Sequence, residues 1–156
     1  AKKVLPELAM LSVSKAQKPA ISYYEGAEGI RSIYEDTLTC NEKIILNIAQ
    51  PQNLLQVIGE DFFAQYVKKR TRRKIRVNVL LPDVPENKKY KIEISSAMRQ
   101  IKFFDAQKYP LPNEILIYDN KIALLSFSSL IGVIIEDKDI AQSVKSLWQM
   151  VWNTIK

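Results

Sequence analysis

"KIILNIA", residues 43–49, is apolar at five of its seven positions and stops just short of Pro51. A strand with one wet face alternates apolar and polar side chains, so a run this continuous reads as a strand covered on both faces. A chain that contains it must pack material on each side of a sheet. The neighbouring segments supply that material. "KPAISYY" (18–24) reads as a short strand introduced by Pro19. "EGAEGIRSIYEDTL" (25–38) then puts Ile30, Ile33, Tyr34, Thr37 and Leu38 on one helical face, with its glycines placed to turn the chain out of that strand. "PQNLLQVIGEDFFAQYVKKRTRRK" (51–74) predicts one or two helices, with a break at Gly59 and with Leu55, Ile58, Phe62, Phe63, Tyr66 and Val67 inward. "IRVNVLLPD" (75–83) alternates at Ile75, Val77, Val79 and Leu81 and reads as a strand.

The second half differs in kind. "PENKKYKIEISSAM" (85–98) is polar and weakly periodic, a loop with a short helix, and "RQIKFFD" (99–105) reads as a strand. "ILIYDNKIALLSFSSLIGVIIED" (115–137) gives three strands with turns at Asp119-Asn120 and Ser128-Ser129. The closing segment from Asp137 is a helix whose apolar face is Ile140, Val144, Leu147, Trp148, Val151 and Ile155, capped by Asp137 or Asp139. At the other end, Val4, Leu8 and Leu11 in "VLPELAMLSV" (4–13) have a helical spacing and read as the tail of a helix that begins upstream, since the chain opens without Met. The expected fold is α/β, a mixed β-sheet sandwiched by helices.

Function is bounded mainly by what is absent. None of the 156 residues is histidine, so no Ser-His-Asp or Cys-His nucleophile system can be assembled. One cysteine, Cys40, cannot form an internal disulfide or a zinc site and fits a reducing cytoplasm. No calcium-loop pattern, secretion signal or membrane span is legible, so neither metal, cofactor nor membrane is expected.

The net charge is +6, and its source is local. Residues 1–67 carry 6 basic and 8 acidic side chains and residues 77–156 carry 10 and 9, whereas "KKRTRRKIR" (68–76) carries seven cations. A domain that tracks a phosphate backbone spreads its cations over several elements. The run sits where a helix ends, and cations there complement the helix dipole. A solvated helix end is the preferred reading, and contact with DNA or another anionic partner is the alternative. Thr71 and the lack of interleaved aromatics argue against a single-strand stacking platform.

"YYEGAEG" (23–29) is no phosphate cradle, because Glu25 and Glu28 would repel the phosphate at the helix start. Trp148 and Trp152, four apart, share a helix face for packing.

Taken in order, "KPAISYYEGAEGIRSIYEDTL", "DFFAQYVKKRTRRKIRVNVLLPD", "RQIKFF" and "PNEILIYDNKIALLSF…IGVIIED…IAQSVKSLWQMVW" resemble the C-terminal domain of TrmB-type transcriptional regulators. The resemblance implies a winged helix-turn-helix upstream of this chain, a linker helix ending within residues 1–17, and a phospholipase-D-like regulatory domain over 18–156. It implies a homodimer that meets DNA only through the absent N-terminal domain and responds to a small-molecule effector. Many members sense sugars, but the sugar-binding part of the best-known ones is an additional C-terminal segment that this chain lacks. Phospholipase-D-type enzymes carry HxKxxxxD followed by a GSxN-like turn. With their Asp on Asp119, Pro112 falls at the His position and Glu114 at the Lys position. Ser126 and Phe127 then replace Gly-Ser, and Ser129 replaces Asn. The implied reading is a non-enzymatic domain, with Glu114, Asp119, Ser126 and Ser129 lining the former cleft as ligand-binding candidates. Val4, Leu8, Leu11 and Trp152 are the dimer-interface candidates. The alternative is an inactive module used for protein association alone.

Overall fold

A computed structural model describes residues 2–4, 18–91 and 97–156. Their elements are β1 (Lys2–Val4), β2 (Ala20–Glu25), α1 (Gly26–Thr37), β3 (Ile44–Ile48), α2 (Pro51–Ile58), α3 (Glu60–Arg72) and β4 (Arg76–Pro82), followed by a 3-10 helix (Pro85–Lys91). After it come β5 (Arg99–Phe104), β6 (Glu114–Tyr118), β7 (Lys121–Ser126), β8 (Ile131–Glu136) and α4 (Lys138–Thr154). The eight strands form one sheet in the order β1-β2-β8-β7-β6-β3-β4-β5. β3, β4 and β5 run parallel, and every other pair is antiparallel. β3 is the seam, parallel to β4 on one side and antiparallel to β6 on the other.

The continuous apolar run does what its composition requires. Ile45 and Ala49 enter the larger core, beneath α1, α2 and α3, while Leu46 and Ile48 pack into the core beneath α4. The same alternation sends Val77, Val79 and Leu81 of β4 to the first core and Leu80 to the second. Ile30, Ile33 and Ile45 have no exposed surface, and full burial of such a side chain contributes about 1.5–3 kcal/mol. Gly59, at φ 87°, separates α2 from α3, and Gly26, at φ 69°, turns β2 into α1. Asp119, at φ 51°, makes the β6–β7 turn, and the Asp137 carboxylate accepts from the Ile140 N–H at 2.9 Å to cap α4.

Two expectations are corrected. Val4 is not on a helix: its backbone is in β1, opposite Ser22 of β2, an edge position that suits a β-branched residue. Leu8 and Leu11 lie outside the described residues. The face expected to bury α4 is also rotated. Ala141 and Trp148 are buried, with Val144, Trp152 and Ile155 partly so, whereas Ile140, Leu147, Met150 and Val151 are exposed. Stacked Trp148 and Trp152, with ring centroids 4.9 Å apart, fill the space over the sheet, and the Trp148 indole N–H donates to the Asn47 carbonyl at 3.1 Å. That hydrogen bond fixes which stripe of the helix points inward.

α1 approaches β2 closely at Gly29. A Cβ there would stand 3.0 Å from the Tyr24 carbonyl carbon and 3.1 Å from its Cβ. Gly29→Ala should therefore cost about 1–3 kcal/mol, seen as a lower urea midpoint at unchanged slope. An unshifted midpoint would mean that α1 can slide freely on the sheet.

Candidate functional site

The most perturbed carboxyl is Glu114, the first residue of β6. It has no exposed surface and lies on the sheet face covered by α1–α3. Its Oε1 accepts from the Gln50 N–H at 3.1 Å, and its Oε2 accepts from the Tyr34 hydroxyl. Burial pushes its carboxyl up to about 8, with the Gln50 hydrogen bond opposing, so near neutral pH it holds its proton. Tyr34 continues into a packed aromatic pair: its ring meets Tyr66 edge-on at 5.0 Å, and Thr37 Oγ1 stands 2.6 Å from the Tyr66 hydroxyl. Burial raises the Tyr66 phenol to about 12. A neutral carboxyl flanked by neutral phenols is a structural joint, with no exposed base and no charge for a phosphate.

The other cleft candidates do not converge on it. Asp119 is at the opposite end of the β6–β7 hairpin, roughly 17 Å away for five residues of extended strand. Its carboxylate accepts from the Asn41 and Glu42 N–H groups at 3.0–3.1 Å and so ties down the loop from α1 to β3. Partial burial works against its charge, but these amides, the Cys40 thiol and Lys121 outweigh it and hold the carboxyl below its ordinary value. Ser126 is next to Leu125, the cross-strand partner of Glu114, and strand alternation turns it to the other face of the sheet. Its Oγ accepts from the Ser129 N–H at 3.3 Å within the β7–β8 turn. Trp152 of the proposed interface is partly buried, stacked on Trp148, with the Lys102 ammonium 4.8 Å from its ring centroid. Among the described residues, no cluster of three or more His, Cys, Asp or Glu could hold a metal ion.

Sequence reading missed the region between β3–β4 and helices α2–α3. A cavity of about 60 Å³ lies there, with Val77, Val79, Leu54, Phe63 and Asn47 among its lining residues. Asn47 is 8% exposed, and its Oδ1 has no hydrogen-bond partner among the described residues, a condition that costs about 1–3 kcal/mol. The available signal was Asn47, the one polar residue between Ile44 and Ala49. Arg70 and Arg99 also line this cavity. Arg70, from the middle of the basic run, is 2% exposed and donates to the Ile75 and Ala97 carbonyls at 2.9 and 2.7 Å. Burial lowers its guanidinium to about 10, and Arg99 adds to this while Tyr66 opposes it. Arg73 donates to the Leu38 carbonyl, and Lys69 pairs with Glu35. The run thus comprises one core residue, two surface clamps and the outward cations Lys68, Arg72, Lys74 and Arg76.

No family model matches the sequence, and no curated protein matches it. Solved structures do. TrmBL2, described as an archaeal chromatin protein with a novel mode of DNA binding, superposes with a TM-score of 0.59 at 14% identity, over 94% of this chain and 56% of its own. NucT from Helicobacter pylori gives 0.60 at 10% identity, over 99% and 96%. Phosphatidylserine synthase from Haemophilus influenzae gives 0.62 at 13% identity, over 97% and 44%. The chain therefore spans about half the length of the first and third. These likenesses establish the fold: a mixed α/β sheet flanked by helices, phospholipase-D-like. No described helix is long and apolar enough to cross a membrane.

Because the folded Glu114 carboxyl titrates near 8 and an unfolded one near 4.5, the folded state holds the extra proton between those values. Stability is then full below about pH 4.5 and falls as pH rises toward 8, by up to about 1.4 kcal/mol per unit. Glu114→Gln keeps a neutral group in place and should flatten that slope, leaving the variant more stable than the parent at pH 8. Urea midpoints measured across this range check it, and parallel profiles would refute a buried neutral carboxyl.

Proposed function

We propose that this chain is a non-catalytic regulatory module, effector-sensing and dimerising, which serves a DNA-binding regulator of the kind its sequence resembles. The observation that carries this reading is Glu114. At the position that the resemblance assigns to a phosphate-holding lysine stands a carboxyl that is buried, hydrogen-bonded and neutral. With no histidine anywhere in the chain, the phospholipase-D-like fold has neither nucleophile nor phosphate clamp. TrmBL2, NucT and the synthase superpose about equally well, so the preference for a regulatory over an enzymatic reading rests on Glu114 and the missing histidine, and reading of DNA sequence would fall to a winged helix-turn-helix outside this chain. The outward cations Lys68, Arg72, Lys74 and Arg76 would add weak, salt-sensitive attraction to a phosphate backbone.

Dimerisation belongs to this reading, because regulators that read paired half-sites hold two DNA-reading elements side by side. The surface that suits it is the outer stripe of α4. Ile140, Leu147, Met150 and Val151 are exposed, and residues 146–155 include no charged side chain. Two copies of a chain with net charge +6 repel, and this stripe lets them meet without opposing cations. The second copy is thus its occupant. Leu8, Leu11 and Val4 remain part of the proposed interface.

Purified protein should leave bis(para-nitrophenyl) phosphate intact. Turnover that Asp119→Asn abolishes would restore an enzymatic reading. Light scattering should give twice the chain mass of 17.9 kDa, and Leu147→Asp should halve it without changing the far-ultraviolet circular dichroism. A parent protein that scatters as 17.9 kDa at micromolar concentration would refute dimerisation by this module.

A further inference from the structure

Between α4 and the start of β3 lies an open groove of about 350 Å³. That is at the small end of the range for small-molecule sites, about 300–1,000 Å³. Its floor is aliphatic: Ile44 and Leu46 share one face of β3, and Ile117 of β6 stands opposite Leu46. Ile44 and Leu46 are only half-buried, so the floor is open to a ligand. The wall beside it is polar. Gln142, Lys145, Ser146 and Gln149 recur at three- and four-residue intervals and form one stripe of α4, between the buried stripe of Ala141 and Trp148 and the outer apolar one. Aliphatic strand residues under a helix are ordinarily met by apolar side chains, as Val144 and Trp148 meet the sheet here. Amides and a charge beside half-buried isoleucine and leucine instead leave a space that suits an amphipathic molecule.

The charges define that molecule further. Lys145 and Glu42 are the two charged residues of the described lining, and they pair at 3.2 Å. The loop that carries Glu42 is held in turn, because the Glu42 N–H donates to the Asp119 carboxylate at 3.0 Å. A single cation or anion in the groove is attracted by one partner and repelled by the other. A molecule with both charges on neighbouring carbons satisfies both, its carboxylate on Lys145 and its ammonium on Glu42. Its entry exchanges one exposed ion pair, which contributes little, for two. The described lining holds no aromatic ring, so it offers no platform to a flat ligand.

We propose that this groove binds a free α-amino acid with an aliphatic side chain, its charged groups on Lys145 and Glu42 and its hydrocarbon on Ile44, Leu46 and Ile117. The proposal deepens the effector-sensing reading and rests on it for its biological meaning. It places the effector at the start of β3, away from Glu114, which meets Gln50 beyond the other end of that strand.

The test uses four probes, L-leucine, glycine, N-acetyl-leucine and leucinamide, each titrated at millimolar concentration into isotopically labelled protein. Leucine should shift the backbone amides of Ile44, Leu46, Lys145 and Gln149. Glycine lacks the hydrocarbon and the two derivatives each lack one charge, so all three should bind about fivefold more weakly. Lys145→Met and Glu42→Gln should each weaken leucine binding by a similar factor while leaving the urea midpoint nearly unchanged. Equal affinity for leucine and either singly charged derivative overturns the proposal. So does silence of those four amides, or leucine affinity unchanged in both variants. Responses confined to other amides overturn it too, while leaving effector sensing in place. Light scattering on the same samples separates the groove from the dimer: selective shifts in a protein of 17.9 kDa keep the site and remove dimerisation, and a dimer whose groove ignores leucine does the reverse.

Discussion

The Glu114 carboxyl is the constraint on which the larger core depends. It joins the first residue of β6 to Tyr34 on α1 and to the Gln50 N–H at the start of α2. A charged carboxylate in that place would cost far more than these contacts return, so the fold holds it as the neutral acid. The consequences spread from there. Tyr34 is held in position to meet the Tyr66 ring, and Tyr66 is one helical turn from Arg70. Arg70 in turn closes the far end of the core by donating to carbonyls of residues 75 and 97. A string of neutral and half-committed polar groups thus crosses the interior between helices and sheet, and it borders the cavity in that layer.

Elements whose apolar period was clean were legible in sequence. β3, α1, β4, the β6–β7–β8 meander and α4 all appear where their patterns place them, because each pattern answers to burial by a neighbouring layer. What failed was finer than periodicity. The outer stripe of α4 is as apolar as its inner one, so helical spacing could not say which of the two faced the sheet. Trp148 decided it through one long-range hydrogen bond to the Asn47 carbonyl. Val4 reads in sequence as the start of a helical stretch from its spacing to Leu8 and Leu11, because pairing to a distant strand leaves no local trace. The cleft candidates do not converge: Asp119 is at the opposite end of the β6–β7 hairpin from Glu114, and Ser126, at the Glu114 end, is on the other face, which only the strand register reveals.

The basic run shows why charge density alone is a poor guide to function. Read as a line of seven cations, it suggests a phosphate-binding surface or a solvated helix end. Helical geometry divides it differently: Arg70 points inward, while Arg72 on the same last turn faces solvent. A guanidinium can be buried where an ammonium could not, because its planar fork reaches two carbonyls at once. Arg70 therefore behaves as a core residue, and the electrostatic footprint left for a partner shrinks to a few exposed side chains.

Asn47 occupies a position from which the two faces of the sheet can influence each other. Its side chain lies on the sheet face beneath α2 and α3, while its backbone carbonyl accepts the Trp148 hydrogen bond from α4 on the opposite face. Trp148 is stacked on Trp152, and their helix carries the exposed apolar stripe suited to a second copy. The packing of α2 and α3 on one face and the orientation of α4 on the other therefore meet at one residue, across the thickness of a single strand. Proximity alone does not produce coupling: a change on one face reaches the other only if it favours one arrangement of α4 over another.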